Sequence, residues 1–179
     1  LKAPGEGDDV AARFALTSLA RFSSQKGYDS NRDFVQTNYL KGIQSFQNKD
    51  IQAYLINQLN YLATDVAIDT LKKYLNDEIL CEPVSQLFLS VRSEKAEQEL
   101  LLNLPSATGK NQITIIKALG NLKSKSALDE ITKLVGSSNV ELQRTVLSAL
   151  ANIGDASSDS TMRNAAVKVG FEYEPTTAA

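Results

Sequence analysis

The sequence predicts an all-α fold, a solenoid of about five stacked helix pairs, and three observations predict it. The anchors Leu59, Phe88, Leu119 and Leu150 stand 29, 31 and 31 residues apart, each inside a similar apolar pattern. Those patterns read LNYLATDVAIDTL, FLSVRSEKAEQEL, ALGNLKSKSALDEI and ALANIGDAS, and self-similarity at such a period marks a repeat architecture. Only 4 prolines and 9 glycines occur in 179 residues, against abundant Leu, Ala, Lys, Gln and Asn, a composition that favours helices. No stretch alternates apolar and polar residues with period two for long enough to argue a strand. A pair of short helices cannot bury its apolar faces alone, and stacking pair on pair builds one continuous core.

The elements follow in order. LKAPGEGDD is an opening loop, with Asp8 or Asp9 as a candidate N-cap. VAARFALTSLARF then places Phe14 or Ala15, Leu16, Leu19 and Phe22 on one helical face. It aligns with VELQRTVLSALANI near the end: Arg13 with Arg144, Leu16 with Leu147, Leu19 with Leu150 and Phe22 with Ile153. SSQKGYDSN is a long loop, with Asp29 or Ser30 capping a helix over about 32–46 that carries Phe34, Val35, Tyr39, Leu40 and Ile43. Gly42 inside it costs about 1 kcal/mol against Ala, so a close helix approach is expected there. IQAYLINQLNYLA and VAIDTLKKYL form the next pair, the second capped by Thr64 or Asp65. ILCEPVSQLFLSV follows, with Pro83 in or near its first turn, where a missing N–H is tolerated.

SEKAEQELLLNL ends at Pro105 and the loop SATGKN. NQITIIKALGNL and KSALDEITKLV come next, the latter closed by Gly136 as C-cap. Between them, Leu119 and Leu122 finish one helix, Ala127 and Leu128 open the other, and the small alanine permits a close crossing. VELQRTVLSALANIG precedes a final helix TMRNAAVKV capped within Ser157 to Ser160, and GFEYEPTTAA reads as a frayed end or the start of a linker. The whole is read as one domain over 1–179, with repeats at roughly 8–46, 50–76, 77–104, 109–136 and 138–170.

Composition excludes several chemistries. The formal net charge of −2 and the absence of any dense basic stripe argue against nucleic acid as a partner. There is no histidine, hence no imidazole base, no Ser–His–Asp or Cys–His pair and no histidine zinc site. Cys81 alone cannot form an internal disulfide or a multi-cysteine metal cluster, and within EILCEPV it reads as a small apolar side chain. No cofactor is expected. No run of about 18 apolar residues exists to cross a membrane. The chain opens on Leu1 without a cationic-then-apolar leader, and reads as a piece of something longer.

The run Ala118-Leu119-Gly120-Asn121-Leu122, with Ala127-Leu128 opening the next helix, resembles HEAT repeats. It is most similar to the short bacterial lyase-type HEAT-like kind, whose usual signature runs V-R…A…ALG.LGD..A. The resemblance covers about 8–170, best at Ile113 to Val135, and implies a right-handed α-α superhelix. The ladder arginine of that signature falls on Gln143 and Ala12, with Arg144 and Arg13 one place on, and Asn139 and Ser138 stand for its aspartates. Those departures argue against an intact inter-repeat polar ladder. PGEGDDVAARFAL further resembles a segment of HEAT regions in large secreted bacterial proteins that also carry a 3-keto-glycoside hydrolase-type domain. This implies a non-catalytic module beside an enzymatic domain, in the periplasm or secreted rather than cytoplasmic.

The resemblance also implies that the second helices of the pairs line a concave face. The equivalent exposed positions are Thr17, Asn57, Gln86, Lys117 and Ser148, with a second row at Arg21, Tyr61, Ser90, Asn121 and Asn152. The candidate binding residues among them are Asn57, Tyr61, Gln86, Lys117, Asn121, Ser148 and Asn152. Small, amide-rich and nearly uncharged, the rows suit a polar peptide, or a carbohydrate stacked on tyrosine. The plainer reading makes them solvated backs of packed helices. The acidic pairs Asp8–Asp9, Asp29–Asp33 and Asp77–Glu78 stand at helix starts or turns. There they read as caps rather than as the paired carboxylates of glycoside hydrolysis. The expected function is therefore a non-catalytic scaffolding module of a larger protein, binding a protein partner or neighbouring domain. The rival readings are an enzyme-associated lyase-like or glycan-processing module, and a structural spacer.

Overall fold

The computed structural model describes residues 1–168. Among them the fold is all-α: ten α-helices, four short 3₁₀ segments and no strand. The tail GFEYEPTTAA and the end of the last repeat lie outside the described residues.

The chain forms two compact units, the first Leu1–Ala96 and the second opening at Glu97. The first unit holds α1 (Val10–Ser23), α2 (Asp29–Ser45), α3 (Lys49–Leu59), α4 (Asp65–Leu71) continued by a 3₁₀ turn Lys72–Asn76, and α5 (Cys81–Val91). Helix α6 (Glu94–Asn103) begins there and leads into α7 (Gly109–Leu122), α8 (Leu128–Thr132), α9 (Val140–Ile153) and α10 (Asp159–Lys168) of the second unit.

The repeated apolar positions are the core. Leu59, Phe88, Leu119 and Leu150 are all fully buried, and so are the paired Ala67, Ile68, Leu71, Ala96, Leu100, Ala127 and Ile131. Each large side chain so placed contributes about 1.5–3 kcal/mol of burial. Cys81 is buried as expected, and burial pushes its thiol up to about 11.

The two helix-interior glycines mark close approaches. A Cβ on Gly42 of α2 would lie 3.2 Å from Leu55 Cδ1 of α3. A Cβ on Gly120 of α7 would lie 2.8 Å from Ala149 Cα and 2.9 Å from its Cβ. Gly120 thus lets α7 and α9 touch backbone to backbone.

Helices α5, α7 and α9 each end on a residue in the left-handed region: Arg92 (φ 53), Lys123 (φ 57) and Gly154 (φ 66). These corners are 31 residues apart, the same period as the leucine anchors. The Lys123 N–H donates to Gly120 O and the Ser124 N–H to Leu119 O, the two bonds of a Schellman cap.

Five local expectations are corrected. Helix α1 buries Ala20 and Ser23 and half-buries Arg13, Leu16 and Thr17, leaving Leu19 (41%), Phe22 (43%) and Phe14 (73%) exposed. Its counterpart α9 buries Leu150 and Ile153 because α7, α8 and α10 surround it, whereas α1 packs chiefly on α2 and α3. Phe34 of α2 is exposed for a similar lack of cover. Gly136 is not a C-cap: α8 ends at Thr132, and successive turns follow, with Leu134, Val135 and Ser137 N–H donating three residues back. Tyr28, not Asp29 or Ser30, is the N-cap of α2, which puts the Asp29 carboxylate in the first turn, where the helix dipole favours it. Finally, α7 begins at Gly109, inside the segment read as loop.

Among the acidic pairs, Asp77 caps as expected, its Oδ1 accepting from the N–H groups of Ile79 and Leu80 at 3.0 Å. Asp155 does the same before α10. Its Oδ1 accepts from Ser157 N at 3.0 Å and Oγ at 2.8 Å, and Lys125 Nζ lies 3.1 Å from Oδ2. The Ser157 bonds, then Lys125, hold its carboxyl at about 2, against an ordinary 3.8. A pKa lowered on folding stabilises the native state above the unfolded value, and that stabilisation is lost as pH falls through the folded one. The melting temperature of Asp155→Asn should therefore lie below that of the wild type at pH 6, and the gap should close between about pH 4 and pH 2. A gap independent of pH would refute the assignment.

Candidate functional site

All seven candidate residues are exposed. Asn57 lies on α3, Tyr61 just past its end, Gln86 on α5, Lys117 and Asn121 on α7, and Ser148 and Asn152 on α9. These are the first helices of the pairs bounded at 50, 77, 109 and 138, not the second as expected; pairing α6 with α7 and α8 with α9 makes them second.

In the second unit, Lys117 and Ser148 come together in a cleft of about 290 Å³ between α7 and α9, with Glu141, Arg144 and Thr145 completing the lining. Helical geometry explains the convergence: Arg144 and Thr145 stand three and four residues after Glu141, and Ser148 four and three after them, along one side of α9. Gly120 and Ala149 hold the two helices in contact beside it. Thr145 is buried and donates its hydroxyl to Glu141 O at 2.8 Å, so it shapes the wall and offers no free donor. Lys117, Glu141 and Arg144 form no ion pair within 4 Å among the described residues. The cleft thus presents two cations, one carboxylate and the Ser148 hydroxyl to solvent, a polar lining suited to hydrogen-bonded recognition. Asn121 and Asn152 do not line it.

Sequence reasoning missed Glu141, Arg144 and Thr145 as parts of this site. The signal was present, since Arg144 and Glu141 stand four and seven residues before Ser148 on the same helical side.

In the first unit, α1 meets α3 along a polar, aromatic seam. The Tyr54 hydroxyl donates to Arg13 O at 2.6 Å and accepts from Thr17 Oγ1 at 3.1 Å. The Tyr39 hydroxyl of α2 donates to Leu16 O at 2.6 Å, and burial pushes it up to about 12. The Arg13 guanidinium stacks over Tyr54 at 4.6 Å from the ring centroid, and that of Arg21 over Tyr61 at 5.2 Å. Arg21 Nη2 also donates to the Tyr61 hydroxyl at 3.1 Å. Thr17, read as an exposed position, is half-buried by this seam. Gln86 of α5 donates its amide to Glu82 Oε1 at 3.1 Å one turn earlier.

No group of three or more His, Cys, Asp or Glu side chains among the described residues could hold a metal ion, and no described helix is long and apolar enough to cross a membrane. No curated protein and no solved structure matches the chain. Residues 97–168 match the family model of HEAT repeats, a span that opens inside α6 and closes with α10; with the all-helical fold, this supports a HEAT-repeat family.

Proposed function

We propose that this chain is a non-catalytic protein-interaction module of a larger multidomain protein, and that the α7–α9 cleft is where it engages its partner. HEAT repeats commonly mediate protein–protein interaction, and 97–168, the matched span, contains the cleft. The observation that carries the reading is the pair Lys117 and Arg144, exposed in a concave site without an ion-pair partner among the described residues. Asn121 and Asn152 extend the polar surface of the same two helices, and Asn57, Tyr61 and Gln86 offer a similar one in the first unit. The resemblance of PGEGDDVAARFAL supports a secreted bacterial parent with a glycan-processing domain, in which this module scaffolds rather than reacts.

The test is affinity capture from the source organism with quantitative mass spectrometry. One protein should be enriched on the wild-type chain and reduced at least about tenfold, roughly 1.4 kcal/mol, on a Lys117→Glu, Arg144→Glu double variant. It should be retained on Lys123→Glu, an exposed lysine outside the cleft. Equal capture by the double variant would move the site elsewhere, and no specific partner would leave the spacer reading.

A further inference from the structure

We propose that Arg21, held over Tyr61, is a carboxylate-recognition site on the first unit that takes Asp or Glu side chains of an acidic peptide. The first argument is preorganisation. A free arginine side chain loses about 2 kcal/mol of rotamer entropy when it is fixed. Here two restraints fix it beforehand: the ring stack at 5.2 Å and the hydrogen bond from Nη2 to the Tyr61 hydroxyl at 3.1 Å. The cost of ordering is met in the free protein, and Arg21 itself is exposed.

The second argument is an internal comparison. Eight residues earlier on the same helix, Arg13 stacks over Tyr54 at 4.6 Å, and its Nε donates to Asp9 Oδ1 at 2.8 Å. The Arg13 bond holds the Asp9 carboxyl below its ordinary range. The chain therefore supplies both the stacked arginine and its carboxylate at Arg13. At Arg21 the stack recurs with no carboxylate of the described residues within 4 Å. A planar guanidinium in a fixed orientation matches a carboxylate through two parallel N–H···O bonds. Asn57, exposed one turn before Tyr61, adds an amide suited to a peptide backbone.

A position in the last turn of α1 gives Arg21 a favourable interaction with the helix dipole. That accounts for a cation there and not for the aromatic platform. A nucleic-acid strand is the poorer fit, because tracking phosphates takes several cations in a row and the chain is net negative.

The probe is a fluorescein-labelled octaglutamate peptide, read by fluorescence anisotropy at low salt on the full chain, with octaglutamine as control. Saturable binding of octaglutamate alone is expected, weakened at least about tenfold by Arg21→Gln and about threefold by Arg21→Lys, which keeps the charge and loses the fork. Tyr61→Ala should weaken it similarly to Arg21→Lys. No saturable binding, or Arg21→Gln within about twofold of wild type, overturns the proposal; so does Arg21→Lys equal to wild type, which would mean a point charge only. Competition by inorganic phosphate as effective as that by the peptide would mean a simple anion site, and would overturn it too. Binding lost instead in Lys117→Gln, Arg144→Gln would put the peptide in the α7–α9 cleft, ending this inference while leaving the proposed function intact.

Discussion

Gly120→Ala is expected to destabilise the second unit, although helix propensity alone says the opposite. Replacing a helix-interior glycine with alanine is worth about 1 kcal/mol in favour of the variant. Against that, the new Cβ would sit 2.8 Å from Ala149 Cα, and a backbone atom cannot swing aside as a side-chain end can. Overpacking of this kind costs about 1–3 kcal/mol, with more for a larger group. The net expectation is a loss of up to about 2 kcal/mol for Gly120→Ala and a larger one for Gly120→Val. Ala149→Gly, which removes the contact at 2.9 Å, should partly restore Gly120→Ala in a double-mutant cycle. Gly42→Ala is the internal control: its nearest atom is the mobile Leu55 Cδ1 at 3.2 Å, so propensity should win there. Urea denaturation of the four single variants and the double variant decides the matter, and a Gly120→Ala chain as stable as wild type would sink the close-contact account.

Leu119→Ala should cost about 2–5 kcal/mol, the price of a cavity in a core that cannot collapse around it. Leu119 is fully buried, and its carbonyl also accepts the Ser124 N–H that closes the cap after α7. Lys117, two residues earlier on the same helix, is exposed, and Lys117→Ala should stay within about 0.5 kcal/mol. Equal denaturation midpoints for the two would mean that the helix is rotated from the orientation described.

The leucine anchors were legible because a buried face recurs wherever the same pair recurs, and burial of Leu59, Phe88, Leu119 and Leu150 follows from the period alone. What periodicity does not carry is whether anything packs on a given stripe. Leu19 and Phe22 repeat the pattern of Leu150 and Ile153, yet α1 lacks the neighbours that cover α9. The exposure of Lys117 and Ser148 could be read, but not their convergence, which depends on the offset between two helices. That offset sets Gly120 against Ala149, Arg13 against Tyr54 and Arg21 against Tyr61, pairs separated by 29 to 41 residues with no mark in the local sequence. Capping was legible at Asp77, where the carboxylate meets the next N–H groups. It was not at Gly136, where glycine occurs without a positive φ.

The corners at Arg92, Lys123 and Gly154 carry a consequence for how such repeats drift. Two of the residues are long cations and the third is glycine, yet their torsions agree within about 15°, so what recurs at this position is a backbone angle rather than a side chain. Glycine satisfies that angle freely, whereas arginine and lysine hold it against a local preference of about 1 kcal/mol or more. Topology overrules chemistry at two of the three corners, which leaves a reserve of stability that glycine could release at the exposed Arg92 and Lys123.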